Sequence, residues 1–135
     1  MQKNQLIIYT PNPSDIKISK NYKLGGFTIL GNVVPTSWYH TITLANSKPD
    51  QIGSTIMSEL LNQYNITGKL SFHMNYKYFK KKFNFSRVQT RTALLRLEEK
   101  NLVKRQFETI RKNNRKFTNQ MFLNLNIEQL KEFCK

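Results

Sequence analysis

Residues 76–126, YKYFKKKFNFSRVQTRTALLRLEEKNLVKRQFETIRKNNRKFTNQMFLNLN, decide the fold. They read as a helix, a tight turn, a second helix and a basic β-hairpin. Ser86-Arg87-Val88-Gln89 has the form of a capping box, in which the serine oxygen accepts from the glutamine backbone N–H while the glutamine side chain reaches back. That fixes where the second helix begins. Only Asn84 and Phe85 separate it from the first helix, Tyr76 to Phe83, and so short a junction makes the two helices cross. Asn75 can cap the first of them.

At about 100° per residue, Thr90, Ala93, Leu94 and Leu97 fall on one arc, the core side of the second helix. Arg87, Arg91 and Thr92 point away from it, with Gln89 and Arg96 toward one flank. Arg suits guanine N7 and O6, and Gln suits adenine N7 and N6. Base reading is therefore assigned to Arg87, Val88, Gln89, Arg91 and Thr92. Val88 and Leu95 lie outward without explanation from the pattern; Val88 can touch a thymine methyl, and Leu95 can meet the N-terminal arm or another subunit. Lys77, Lys80, Lys81 and Lys82 on the preceding helix, together with Arg96, are assigned to phosphates, contacts that set register without reading sequence. Phe79 and Phe83, four apart, belong to the core. Aromatics interleaved with lysine can also stack on single-stranded bases, but phenylalanine is needed inside.

Glu98-Glu99-Lys100 closes the second helix, and Asn101 stands where a left-handed glycine is usual. Leu102 and Val103 return to the core. Val103–Ile110 and Thr118–Asn126 are strand-like, with Met121, Leu123 and Leu125 alternating with Phe122 and Asn124. The connection is Arg111-Lys112-Asn113-Asn114-Arg115-Lys116, two turn-forming asparagines flanked by four cations. Arg111, Lys112, Arg115 and Lys116 can lie along phosphates or enter a narrow minor groove. The plainer alternative is an exposed hairpin whose charges keep the protein in solution.

The chain has 135 residues and a net charge of +14. That length suits one domain with a single core. Between Lys69 and Lys116 fifteen Lys/Arg face three acids, Glu98, Glu99 and Glu108, so +12 of the +14 sits in little more than a third of the chain. Abundant Lys and Asn can reflect an AT-rich genome, but such a bias would spread evenly. A concentrated basic field attracts a polyanion.

Upstream, residues 1–34 read as an arm. LIIY (6–9) and DIKIS (15–19) are short strand candidates around the PNP turn at 11–13. Gly25-Gly26 punctuates, and FTIL and NVV suggest an extended stretch ending at Pro35. PTSWYHTITL (35–44) reads as a short helix opened by proline, with Trp38, Tyr39 and Ile42 inward, or as a strand. Ser47-Lys48-Pro49-Asp50 carries the signals of a helix start. Ile52, Ile56, Leu60 and Tyr64, flanked by Met57 and Leu61, give one apolar stripe of a core helix over 48–64, ended by Thr67-Gly68. KLSFHM (69–74) is a short strand. The last element, IEQLKEFCK, opens with an Asn126–Gln129 capping pair. Ile127, Leu130 and Cys134 share a face, and so short a helix must pack on the domain or on a partner. Cys134 reads as a small buried side chain.

The pattern argues against catalysis. His40 and His73 are far apart, and no HxH, HExxH or CxxC appears, so neither a metal site nor a metal-dependent nicking centre has its usual ligands. There is no phosphate-binding loop, and Gly25-Gly26 is a lone pair. Eight acids supply no carboxylate cluster for a two-metal nuclease. No cofactor is expected. No apolar run reaches the length of a membrane span, the N-terminus lacks a signal-peptide pattern, and one cysteine makes no internal disulfide. A cytoplasmic, nucleoid-associated protein is the expectation.

Residues 76–126 resemble the winged helix-turn-helix DNA-binding superfamily. SRVQTRTALLRLEEKNLVKR is similar to the recognition helix and first wing strand of bacterial winged-helix regulators, where a capped Ser-Arg start leads to a RLEEKGLI-like end. The helix at 48–64 fits the first helix of such a domain, so about two thirds of the chain is covered. The resemblance implies an α+β winged helix-turn-helix at 35–126, with an N-terminal arm (1–34) and a short C-terminal helix (127–135). It implies sequence-specific binding of double-stranded DNA, first as a bacterial transcription regulator. A plasmid- or phage-type replication initiator and a protein-interaction winged helix are the alternatives. The arm, Leu95 and the terminal helix motivate a homodimer.

Overall fold

A helix with one apolar stripe must bury it, and everything after residue 50 is arranged around the stripe of the central helix. The computed structural model describes residues 20–24 and 27–134. The expected strands at 6–9 and 15–19, the PNP turn and Gly25-Gly26 lie outside the described residues. Within them run β1 (Lys20–Leu24), β2 (Phe27–Gly31), α1 (Trp38–Thr41), α2 (Gln51–Thr67), β3 (Ser71–His73), α3 (Tyr76–Phe83), α4 (Arg87–Glu99), β4 (Val103–Lys112), β5 (Arg115–Leu125) and α5 (Ile127–Phe133). β1 and β2 pair antiparallel as a separate hairpin within the segment read as an arm. The other strands form an antiparallel sheet in the order β3-β5-β4. The protein is α+β, and its α2-β3-α3-α4-β4-β5 order is compatible with a winged-helix layout.

Ile56, Met57 and Leu60 of α2 are fully buried, with Ile52, Leu61 and Tyr64 packed at the margin. They meet Phe72 from β3, Phe79 from α3, Ala93, Leu94 and Leu97 from α4, and Met121, Leu123 and Leu125 from β5. Each such side chain contributes roughly 1.5–3 kcal/mol on burial, so this cluster is the main source of stability. The arc assigned to the core side of α4 is the buried one, Thr90 included.

α2 starts later than its sequence signals suggest. Ser47 lies in the left-handed region (φ 67) within a turn. Pro49 bridges Thr43, and the Asp50 N–H donates to Ile42 O. Those contacts hold residues 48–50 out of the helix, so Asp50 becomes the N-cap, its carboxylate accepting from the Gly53 N–H at 2.9 Å. The helix runs on to Thr67 and ends on Gly68 (φ 72). The segment at 35–44 is helical only over Trp38–Thr41. Trp38 and Ile42, four apart, are buried as expected, but Tyr39 points outward at 41% exposure, because one helical turn has one inward face.

Local caps follow the sequence. Asn75 accepts from Tyr78 N, both halves of the Ser86–Gln89 box form, and Asn126 accepts from Gln129 N. Asn84 (φ 60) and Asn101 (φ 59) supply the left-handed residues after α3 and α4. The β4–β5 hairpin is longer than its charge pattern suggests. Its strands reach Lys112 and Arg115, leaving a two-residue turn, Asn113 (φ 53) and Asn114 (φ 62). Positive φ at both positions is the signature of a type I′ hairpin turn. A register shift between Glu108 and Ile110, beside left-handed Asn119, bends the ladder midway. Phe122, alternating out of the core row, is also buried and stacks on His73 at 5.0 Å.

α5 docks on its own domain. Leu130 is buried, Thr41 Oγ1 donates to Phe133 O, and Trp38 Nε1 donates to Cys134 Sγ at 3.3 Å. That removes the terminal helix as a reason for dimerisation. Cys134 is exposed rather than buried, with its sulfur capping the indole N–H from outside. No helix among the described residues is long and apolar enough to cross a membrane.

A Cβ at Gly68 would meet nothing within 4 Å, so only its backbone conformation requires glycine. Gly68→Ala is expected to destabilise the protein by about 1–2 kcal/mol, the penalty of an L-residue in the left-handed region. The urea midpoint measures this, with an unchanged m-value.

Candidate nucleic-acid interface

Some cations of the basic half are neutralised by buried or half-buried acids, and others stand in water. Arg96 lies on the flank of α4 that faces α2. Its Nε donates to Asp50 Oδ2 at 2.7 Å and its Nη2 to Asp50 Oδ1 at 2.9 Å, a two-point fork. Asp50 is 1% exposed. Hydrogen bonding to Asp50 holds the Arg96 pKa above the ordinary guanidinium value, against the opposing effect of partial burial, with the charges of Asp50 and Glu99 adding to the rise. Lys82 is spent the same way. Its Nζ lies 2.9 Å from both oxygens of the fully buried Glu59. Tyr78 Oη also donates to that carboxylate, and Asn32 Nδ2 donates at 2.7 Å.

Arg96 and Lys82, both assigned to phosphates from sequence, are thus structural. Their charges answer buried acids on α2, and moving either onto DNA would strand a carboxylate inside the protein. Arg105 is similarly held: its backbone N–H and its Nε both donate to Glu98 at 3.0 Å, tying β4 to the end of α4.

The remaining assigned cations are exposed. Lys77, Lys80, Lys81, Arg91, Arg111, Lys112, Arg115 and Lys116 make no ion pair among the described residues, and Arg87 lies 4.7 Å over the Tyr76 ring. Tyr76, Lys77, Lys80, Ser86 and Arg87 line one open cleft of about 360 Å³ between α3 and the start of α4. At the hairpin tip Arg111 pairs across the ladder with Lys116, and Lys112 with Arg115. Like charges directly opposite one another destabilise a hairpin. The tip stands roughly 20 Å beyond the Arg105–Glu98 pair, at about 3.3 Å per residue.

Along the outward face of α4, Arg87, Val88, Arg91 and Thr92 are exposed as the helical arc requires. Gln89 is exposed too, but its Oε1 accepts from the Ser86 N–H at 2.9 Å. Bidentate reading of adenine uses that same oxygen as an acceptor, and the cap occupies one of its two lone pairs. Among the described residues no group of three His, Cys, Asp or Glu side chains is placed to hold a metal ion.

The chain matches no protein-family model, no curated protein and no solved structure. Asp50 and Glu59 were missed by the sequence reading. The available signal was an acid at the start and another in the middle of a helix otherwise free of charge, followed by a segment crowded with cations.

The division between spent and free cations is measurable. Lys82→Ala leaves the Glu59 carboxylate buried without its cation and is expected to cost about 3–5 kcal/mol. Lys81→Ala, one residue away and exposed, should change stability by under about 0.5 kcal/mol. Chemical denaturation of the two variants side by side reads the difference.

Proposed function

We propose that this chain is a winged-helix protein that binds double-stranded DNA sequence-specifically and acts as a transcription regulator without catalysing a reaction. The supporting observation is the sorting of charge. Three cations that reach inward are matched to acids, and of those without an ion pair among the described residues nine stand on α3, the first turns of α4 and the β4–β5 tip, with Lys48, Lys100 and Lys104 elsewhere. Exposed cations on a helix, on the start of the helix that follows it and on a hairpin tip have the chemistry of a phosphate-backbone footprint.

In this reading α4 enters the major groove and Arg91 is its principal hydrogen-bonding reader. Lys77, Lys80 and Lys81 hold the phosphates beside it, and Arg87, laid on Tyr76, joins them at the cleft. Arg111, Lys112, Arg115 and Lys116 at the wing tip follow the backbone or the minor groove, and the phosphates relieve the repulsion across the ladder. The order α2-β3-α3-α4-β4-β5 with β5 central supports the same reading.

The test is selection of bound fragments from a genomic library near physiological salt, followed by titration of the winning site against salt. A shared motif in promoters with a steep salt slope is the expected result. A cluster of repeats at one locus would make the protein an origin-binding factor instead. Binding indifferent to salt and to DNA would leave a protein-interaction module.

Arg91→Ala should weaken the preferred site by about 1–3 kcal/mol and relax the preference at one base pair. Lys81→Ala should weaken all duplexes alike and flatten the salt slope by about one unit. Competition binding against random duplex separates the two roles.

A further inference from the structure

Three methyl-bearing side chains lie outward on α4 in a row that the core does not use. Val88 is 72% exposed in the first turn, Thr92 is exposed one turn on, and Leu95 is 36% exposed one further. The spacing of four and then three residues places them on one stripe. Their neighbours on the same face, Arg87 and Arg91, are cationic and make no ion pair among the described residues. A β-branched valine at that exposure adds nothing to a helix in water, and at about 100° per residue Arg87 and Arg91 both fall on one flank of the stripe, with Gln89 on the other.

We infer that this stripe reads the 5-methyl groups of thymine in the major groove, so that the protein selects T-containing duplex by apolar contact, with Arg91 supplying a guanine contact. This rests on the DNA-binding reading. The two cations along one flank favour DNA over a protein surface as the occupant, because a phosphate backbone runs beside the groove whose floor carries the methyls. Apolar contact with the thymine methyl is an ordinary part of major-groove readout. Val88 to Leu95 spans about 10 Å of helix, close to three base-pair steps. Local contacts draw two polar side chains back along the helix: Gln89 Oε1 accepts from the Ser86 N–H, and Arg87 lies over Tyr76. Arg91 and the Thr92 hydroxyl are the hydrogen-bonding groups beside the stripe, and methyl contact adds to their discrimination.

Replacing thymine by uracil removes only the methyl and leaves Watson–Crick pairing intact. The experiment takes the duplex recovered by selection and compares it with the same duplex synthesised with uracil at each thymine in turn. Each methyl contacted should be worth about a fourfold loss of affinity when removed. Val88→Ala should abolish the penalty at one position, and Thr92→Ser, which keeps the hydroxyl and deletes one methyl, at a neighbouring one. Val88 and Thr92 are exposed, so both variants should retain the wild-type denaturation midpoint and the salt slope. Equal affinity for thymine and uracil duplexes at every position would overturn the inference while leaving DNA binding intact. Loss of the uracil effect together with self-association that Val88→Ala abolishes would overturn it in favour of a second copy on the stripe. Absence of any salt-dependent binding by the wild type would instead remove the reading beneath it.

Discussion

A carboxylate taken out of water costs several kcal/mol unless cations and hydrogen-bond donors replace its hydration, and α2 buries two. Asp50 sits at its N-cap and Glu59 nine residues on, about 13 Å along the axis. Each draws a cation from a different helix of the basic half: Arg96 from α4 and Lys82 from α3. The apolar core sets how closely these helices approach. The two ion pairs set their angular placement, since a forked guanidinium or a three-donor ammonium satisfies its acid in few orientations. Gly53 shows how tightly one of these sites is closed. A Cβ there would lie 2.5 Å from Asp50 Oδ2, an oxygen already held by Arg96. Glu59 also gathers Asn32, and Ser58 Oγ donates to Val33 O, so the segment leading out of β2 is fixed at the same place.

The consequence for function is a division of labour among residues that look alike in sequence. Lys80, Lys81 and Lys82 are consecutive, yet the third turns inward to Glu59 while the other two stay exposed. Arg91 and Arg96 share a helix, and only Arg91 is free of an acid among the described residues. The unmatched set carries a standing electrostatic cost, most visibly at the hairpin tip, where two cation pairs face each other across the ladder. Such an arrangement lowers the stability of the free protein and raises its attraction for a polyanion.

How much of this could be read from the chain follows from the range of each interaction. The caps at Asn75, Ser86 and Asn126 were legible because donor and acceptor lie three residues apart, and the buried arc of α4 because a helix repeats every 3.6 residues. The pairs Asp50–Arg96 and Glu59–Lys82 span 46 and 23 residues, and no local periodicity encodes them. For the same reason Arg96 and Lys82 looked like surface cations. The start of α2 was misplaced because the Thr43–Pro49 bridge, invisible locally, outweighs the Ser47 signal. Six consecutive polar residues resemble a loop in sequence, whereas the left-handed Asn113-Asn114 pair lets the strands continue through the cations to a two-residue turn.

The claim on which the account turns is that one face, built from α3, the first turns of α4 and the β4–β5 tip, meets DNA while the ion pairs behind it stay closed. Amide chemical-shift mapping during titration with the selected duplex tests it most directly. The account predicts perturbations concentrated at residues 77–81, 87–95 and 111–116, with the Glu59–Lys82 and Asp50–Arg96 surroundings and α5 little changed. Perturbations centred on α5 or on the far end of α2, with residues 87–95 silent at saturation, would contradict it.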